Sequence, residues 1–240
     1  MRMAARAGQG SDLHMTLLVS PCSHAAAAYA VKHWHYSETF PVSKSYKCGV
    51  WEDEQFIGAV VFAWGSNPNL AGSFNLDMTE CVELVRVALR DHTNFVTNIV
   101  AQSLKILKAN NPGLRLVVSY ADPYRNHHGG IYQAGNWIYA GMTPQKHDYI
   151  MPDGKVLNRR AYTGVNFGRA KMKIPAEAEK VTMPGKHRYL YPLDKGMRRS
   201  LKDRSIEYPR GTGLNGKLSD DLSEGASSIL ACRSTIELEK

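Results

Sequence analysis

The stretch from Leu114 to Tyr139, LRLVVSYADPYRNHHGGIYQAGNWIY, constrains the chain more than any other. It opens on an apolar run, Leu114 to Val118, that reads as a buried strand. The run ends in Ser119-Tyr120-Ala121-Asp122-Pro123, so a polar cluster stands where a strand would leave its sheet. Open α/β sheets bind ligands outside the carboxyl ends of their strands. Ser119 to Tyr132 carries one aliphatic hydroxyl, one carboxylate, one guanidinium, two imidazoles and three phenols. Packing gives a surface loop no reason to hold so many reactive groups, whereas a site does. Gly129 to Gln133 reads as the start of a short helix whose N–H groups face the cluster and can cradle an anion.

The segments before this stretch supply a sheet and its helices. Leu13 to Ser20 is a short strand stopped by Pro21, and Ser23 can cap an alanine-rich helix over Ala25 to Lys32. That helix delivers His33-Trp34-His35-Tyr36-Ser37 at its C-terminal end, where the helix dipole favours a cationic imidazole. If the chain turns extended there, His33 and His35 share a face. Tyr46 to Glu52 and Gln55 to Trp64 form a hairpin around Asp53-Glu54. Glu80 to Leu89 is a strand with Arg86 among apolar residues, which calls for a carboxylate such as Glu83 or for a ligand. Thr93 to Asn110 is the clearest helix. Val96, Ile99, Val100, Ser103 and Leu107 lie on one face, Thr93 or Asn94 serves as cap, and Asn110-Asn111-Pro112-Gly113 is the stop. Asn136 to Ala140 and Arg159 to Val165 read as further strands.

Charge is placed unevenly. The 240 residues carry a net charge of +8, and the segment Arg159 to Arg210 alone holds 14 Lys/Arg against 5 Asp/Glu. A basic region of this density points to a polyanion, with nucleic acid the usual one. Within it, Lys186-His187-Arg188-Tyr189-Leu190-Tyr191 interleaves bases with aromatics, which suits phosphate contact and stacking. Met197 to Lys202 reads as a short basic helix that presents Arg198 and Arg199. The four cysteines show neither paired nor metal-binding spacing and read as free thiols of a reducing cytoplasm. No run is long enough to span a bilayer. Residues 1–14 read as a disordered lead, with Met15 an alternative start, and 211–240 as a flexible tail.

The element order, with a mostly antiparallel sheet and a long helix between the fourth and fifth strands, is similar to the acyltransferase fold of the GNAT superfamily. The expected class is α+β: a GNAT-like mixed sheet flanked by helices, with a catalytic domain over 15–170 and a basic extension over 171–210. That superfamily's pyrophosphate loop, Q/R-x-x-G-x-G/A, corresponds here to Leu89-Arg90-Asp91-His92-Thr93-Asn94, which has no glycine to let backbone approach a phosphate.

A longer resemblance covers Lys32 to Leu201. HWHYSETFP at 33–41, ELVRVAL at 83–89, SYADPYRNHHGGIYQAGNWIY at 119–139 and GKHRYLYPLD at 185–194 resemble the Mom family of phage DNA-modification proteins. The resemblance implies conversion of adenine in DNA to N6-carbamoylmethyladenine, a modification that shields phage DNA from host restriction. It implies His35, Tyr36, Asp122, Tyr132 and Ser119 as catalytic residues. Arg86, Ser119 and Tyr120 are the residues expected at the donor, and His35, Asp122 and Tyr132 are the ligands of an iron ion if one is bound. The resemblance implies double-stranded DNA as the partner, and Arg125, His127, His128, Lys186, Arg188, Arg198 and Arg199 are the residues expected to meet nucleic acid. The donor is an activated glycyl or acyl group, either glycyl-tRNA or acetyl-CoA, so tRNA is a second possible partner. The competing functions are a GNAT-like acyltransferase acting on a protein or small molecule, and a non-enzymatic DNA-binding protein.

Overall fold

A computed structural model describes residues 16–65, 67–157, 159–163 and 172–209. The expected lead, the alternative start at Met15, the tail over 211–240 and Cys232 lie outside the described residues. The chain divides into two compact units, residues 1–117 and 118–240.

The first unit is a four-stranded antiparallel meander with two helices. Its strands are β1 (Leu17–Pro21), β2 (Ser45–Glu52), β3 (Gln55–Ala63) and β4 (Cys81–Leu89), each paired with the next. The β2–β3 turn holds Asp53 and Glu54 at φ 45° and 66°, the left-handed pair that a two-residue hairpin needs to match strand twist. Helix α1 (His24–Trp34) is capped as expected, Ser23 Oγ accepting from Ala26 N at 3.2 Å. Its buried Ala27, Ala30 and Val31 pack with Ala59, Val61 and Ala88. The opposite face of the sheet takes helix α2 (Val96–Asn110), where Cys48 Sγ reaches the Ser103 carbonyl and Ile99, Val100, Leu104 and Leu107 are buried. Alternation along β3 produces this two-sided core, since successive strand residues point to opposite faces.

The start of α2 differs from expectation. The helix begins at Val96 with Phe95 in the cap position, and no side chain caps it. Thr93 and Asn94 do not act as caps; their backbone N–H groups turn to the Glu52 carboxylate instead. A carboxylate from a neighbouring strand end is a stronger acceptor than a local hydroxyl, and it wins.

In the second unit, strand β5 (Leu116–Ala121, its first two residues shared with the first unit) leads through a 3-10 turn at Pro123–Arg125 to helix α3 (Gly130–Ala134) and strand β6 (Ile138–Met142). Strands β7 (Lys146–Ile150), β8 (Val156–Leu157) and β9 (Glu179–Met183) make a separate three-stranded sheet in the order β8-β7-β9. Helix α4 (Arg159–Thr163) occupies most of the segment expected as a strand. Its first amide donates to the buried Asp148 carboxylate at 2.9 Å, a tertiary anchor that local propensity does not report. Strand β10 (His187–Pro192) runs between β5 and β6 and pairs antiparallel with β6. The segment 187–192, expected within a basic extension, is therefore an interior strand. Tyr189 and Leu190 are fully buried, and their burial outweighs the cost of the bases around them. Helix α5 (Lys195–Ser200) follows, capped by Asp194, whose Oδ1 accepts from Met197 N at 2.7 Å.

Candidate functional site

The polar cluster after β5 is built from the backbone upward. Ser119, one of the last residues of β5, is 1% exposed and its hydroxyl donates to Tyr132 Oη at 2.8 Å. Tyr132 comes from α3, which Gly129 opens in the left-handed conformation at φ 87°. Glycine is required there twice over: φ is positive, and a Cβ would run into the Tyr189 ring. The Tyr132 ring is wedged among Trp137 and Tyr189, with centroids 5.0 and 5.1 Å away. The Tyr189 hydroxyl donates to the His128 carbonyl and accepts from Gln133 Nε2 at 3.1 Å. A phenol fixed on its ring by packing and on its oxygen by a buried hydroxyl is a rigid, oriented hydrogen-bonding group.

Asp122 caps the 3-10 turn, one oxygen accepting from Tyr124 N at 3.1 Å. Its other oxygen lies 2.8 Å from Lys186 Nζ. A cavity of about 310 Å3 is lined by Tyr120, Asn126, His127, His128, Ile131 and Tyr132 among others. Arg125 is half-buried, and His127 and His128 are exposed. Of the residues expected in the site, Tyr120, His127, His128 and Tyr132 line this cavity and Ser119 is bonded to Tyr132, whereas Asp122 is not among the lining residues.

Lys186 and Arg188, read from the sequence as nucleic-acid contacts, make protein contacts. Lys186 meets Asp122, and Arg188 Nη2 donates to the Ala140 carbonyl at 3.0 Å. Both belong to the β10 region, whose burial turns basic side chains inward and toward partners. Arg198 and Arg199 are exposed on the last turn of α5. Sequence reading missed His187, whose Nδ1 is 2.8 Å from the Tyr139 hydroxyl. Burial first, and the charge of His128 second, push its imidazole below the ordinary histidine value. The alternation of Tyr139 and Tyr189 around it was the available signal.

In the first unit, His35 is the cap residue after α1 and is extended, φ −121°. Its Nδ1 accepts from Ser37 N at 3.1 Å and lies 2.8 Å from Ser37 Oγ. An acceptor Nδ1 assigns the proton of the neutral ring to Nε2, so His35 presents an N–H donor there. The Tyr36 ring lies 4.3 Å from the His35 ring and is 54% exposed. Arg86 ties this segment down: Nε and Nη2 donate to the Thr39 carbonyl at 3.2 and 3.0 Å, and Nη1 to the Val85 carbonyl at 2.7 Å. A bulge between the Val61–Arg86 and Phe62–Leu84 pairs inserts Val85 into β4. Glu83 therefore acts on Arg86 despite a three-residue spacing that would separate them on a regular strand. Burial pulls the guanidinium below its ordinary value, while Tyr36 and Glu83 push it back up.

The resemblances imply two bound groups, an iron ion and a coenzyme A diphosphate. For iron, the carboxylate of Asp122 already faces an ammonium on one oxygen and an amide on the other, an environment that repels a second cation. Among the described residues no three His, Cys, Asp or Glu side chains form a group that could hold a metal. The arrangement does not fit iron. For a coenzyme A diphosphate, the amides ahead of α2 are the corresponding cradle, and they are filled. Glu52, 4% exposed, accepts from Thr93 N at 3.0 and 3.1 Å, from Asn94 N at 2.7 Å and from Asn94 Nδ2 at 2.9 Å. Burial raises its proton affinity, but these bonds and the nearby His92 outweigh it and hold the carboxyl below its usual value. A diphosphate does not fit where an internal carboxylate is already seated.

Residues 16–210 match the family model described as the Mom protein family. Over 186 residues the chain is 24% identical to the methylcarbamoylase Mom of Escherichia phage Mu, which covers 73% of this chain and 76% of that protein. Among solved structures, it is similar to the spermidine/spermine N-acetyltransferase SpeG from Vibrio cholerae in complex with manganese ions. That likeness has a TM-score of 0.42 and 10% identity, over 77% of this chain and 96% of the other. A GNAT family acetyltransferase from Elizabethkingia anophelis with acetyl-CoA bound gives a TM-score of 0.39 and 12% identity, over 74% and 98%.

Proposed function

The chain belongs to the Mom protein family, and on that premise we propose that it is a transferase that modifies adenine in phage DNA to N6-carbamoylmethyladenine and so protects that DNA from host restriction. The observation that carries this reading is the buried Ser119–Tyr132 hydroxyl pair, whose Tyr132 lines a base-sized cavity together with Tyr120, His127 and His128. Sites for small groups begin at about 300 Å3, and this cavity lies at that lower end. Adenine inside a duplex is out of reach, so the base is extruded into the cavity at a cost of a few kcal/mol.

The reaction follows from the chemistry of the groups. The exocyclic N6 attacks the carbonyl of an activated glycyl donor, and the leaving group departs with the electron pair of the acyl bond. Asp122 accepts the N6 proton. Tyr132, held by Ser119, donates to the oxyanion that develops; a positioned donor of this kind contributes roughly 100-fold. The glycyl amine then attacks C6, and the original nitrogen leaves C6 to become the terminal amide. The product carries the methylene on the exocyclic nitrogen at C6, no oxidant is needed, and atoms balance. Glycyl-tRNA is the proposed donor, which the Glu52-filled cradle favours over coenzyme A. Arg125, His127, His128, Arg198 and Arg199 are proposed to meet the DNA.

The test is nucleoside mass spectrometry on DNA from a bacterium that expresses the chain, with Asp122→Ala as control. A deoxyadenosine species heavier by one carbamoylmethyl group, absent in the control, is the expected result. Unmodified DNA in cells holding soluble, folded protein and a normal supply of glycyl-tRNA overturns it.

A further inference from the structure

We propose that Lys186 is a positioning residue for Asp122 and takes no part in gripping DNA. The inference rests on the function proposed above. Its basis is that Lys186 is built into place from three directions. Its ammonium is 2.8 Å from Asp122 Oδ2. Its backbone N–H donates to Thr143 Oγ1 at 2.8 Å, and its carbonyl accepts from Thr143 N at 2.9 Å. The residue before it, Gly185, is buried, and a Cβ there would collide with the Thr143 carbonyl. Only glycine lets β10 start this close to the end of β6, and that approach delivers the lysine.

A lysine meant for phosphate usually stands on a solvated stem and swings toward its ligand. This one is half-buried, clamped at both backbone groups and already matched with a carboxylate. Asp122 in turn has both oxygens engaged, one by Lys186 and one by the Tyr124 amide. A carboxylate held at both oxygens cannot rotate about its last torsion. Its remaining lone pairs keep one direction, which is what a proton acceptor for a flipped base requires. Loss of the ammonium frees that rotation without removing the carboxylate.

The experiment uses the full-length protein, a DNA duplex and bacterial glycyl-tRNA as donor. K186M is expected to lower kcat by roughly 10- to 100-fold, the cost of misplacing a reacting group by about 1 Å. Its KM for DNA and the salt dependence of DNA binding stay as in wild type, and K186R restores most of the rate. In a D122N background, K186M changes the residual rate less than about twofold, because the group it serves is gone. The proposal is overturned if K186M leaves kcat intact while the slope of log affinity against log salt falls by about one, the mark of a lost phosphate contact. Equal losses in both backgrounds overturn it as well. Thermal melts of wild type, K186M, D122N and the double variant separate this proposal from the function itself. If wild type makes no modified adenine, the function fails. The melts then decide the pair: the double variant losing less than the sum of the singles upholds it, and additive losses reject it.

Discussion

Replacing Glu52 by alanine is expected to destabilise the first unit by about 2–4 kcal/mol. The side chain is the acceptor for two backbone amides, Thr93 N and Asn94 N, and for Asn94 Nδ2. Each donor left without a partner in a buried setting costs about 1–3 kcal/mol, so the two amides bound the loss at roughly 2–6 kcal/mol. Glu52 also borders a cleft of about 310 Å3 that water can enter, and water satisfies part of what is lost, so the lower half of the range applies. Glu52→Gln keeps an acceptor oxygen where three of the bonds converge, but it loses charge assistance and turns a donor toward Thr93 N where Oε2 accepted, a cost of about 1–3 kcal/mol. Urea unfolding of the three proteins, followed by tryptophan fluorescence, measures both values. The carboxyl is held below its usual value in the folded state. The stability it contributes is therefore present above the unfolded-chain value, about 4.3, and is lost as pH falls from there through the folded value. Glu52→Gln removes that acid limb. A loss under about 1 kcal/mol for the alanine variant would refute the reasoning. So would calorimetric binding of acetyl-CoA to wild type with Glu52 still seated.

Tyr132→Phe removes the acceptor for the buried Ser119 hydroxyl and is expected to cost about 1 kcal/mol in stability but roughly 100-fold in rate, read by melting and by single-turnover modification of DNA. Gly129→Ala places a Cβ in a left-handed position against the Tyr189 ring and is expected to cost about 2–3 kcal/mol, with loss of Tyr189 protection in near-ultraviolet dichroism. His187 has its folded value depressed by burial and by His128. Its neutral form is thus favoured by folding, and stability falls as pH drops from about 6.5 toward the folded value. His187→Gln is expected to flatten that limb in melts taken between neutral and mildly acid pH.

Much of the first unit was legible. The hairpin at Asp53-Glu54, the Ser23 cap and the buried face of α2 each rest on local pattern, and each is present. Ser119 to Tyr132 was legible as a cluster because a strand running into polar residues and paired glycines has few other uses. What escaped depended on partners distant in sequence. Thr93 and Asn94 have the composition of caps, yet a carboxylate 41 and 42 positions away took their amides. Lys186 looked like a phosphate contact among neighbouring bases, and only the pairing of β10 with β6 shows it facing Asp122. Arg159 to Val165 read as a strand; its described part, Arg159–Thr163, is a helix whose first amide is anchored on Asp148, and 164–165 lie outside the described residues.

By itself, then, the sequence determined the α+β class, the meander, the long helix and the stretch that holds the reactive groups. Those follow from periodicity, turn chemistry and caps, all of them interactions between near neighbours. The tertiary structure alone decided which carboxylate fills the amide cradle ahead of α2 and which lysine meets Asp122. Those are contacts across strands, and a hydrogen bond or ion pair between residues tens of positions apart leaves no period in a sequence.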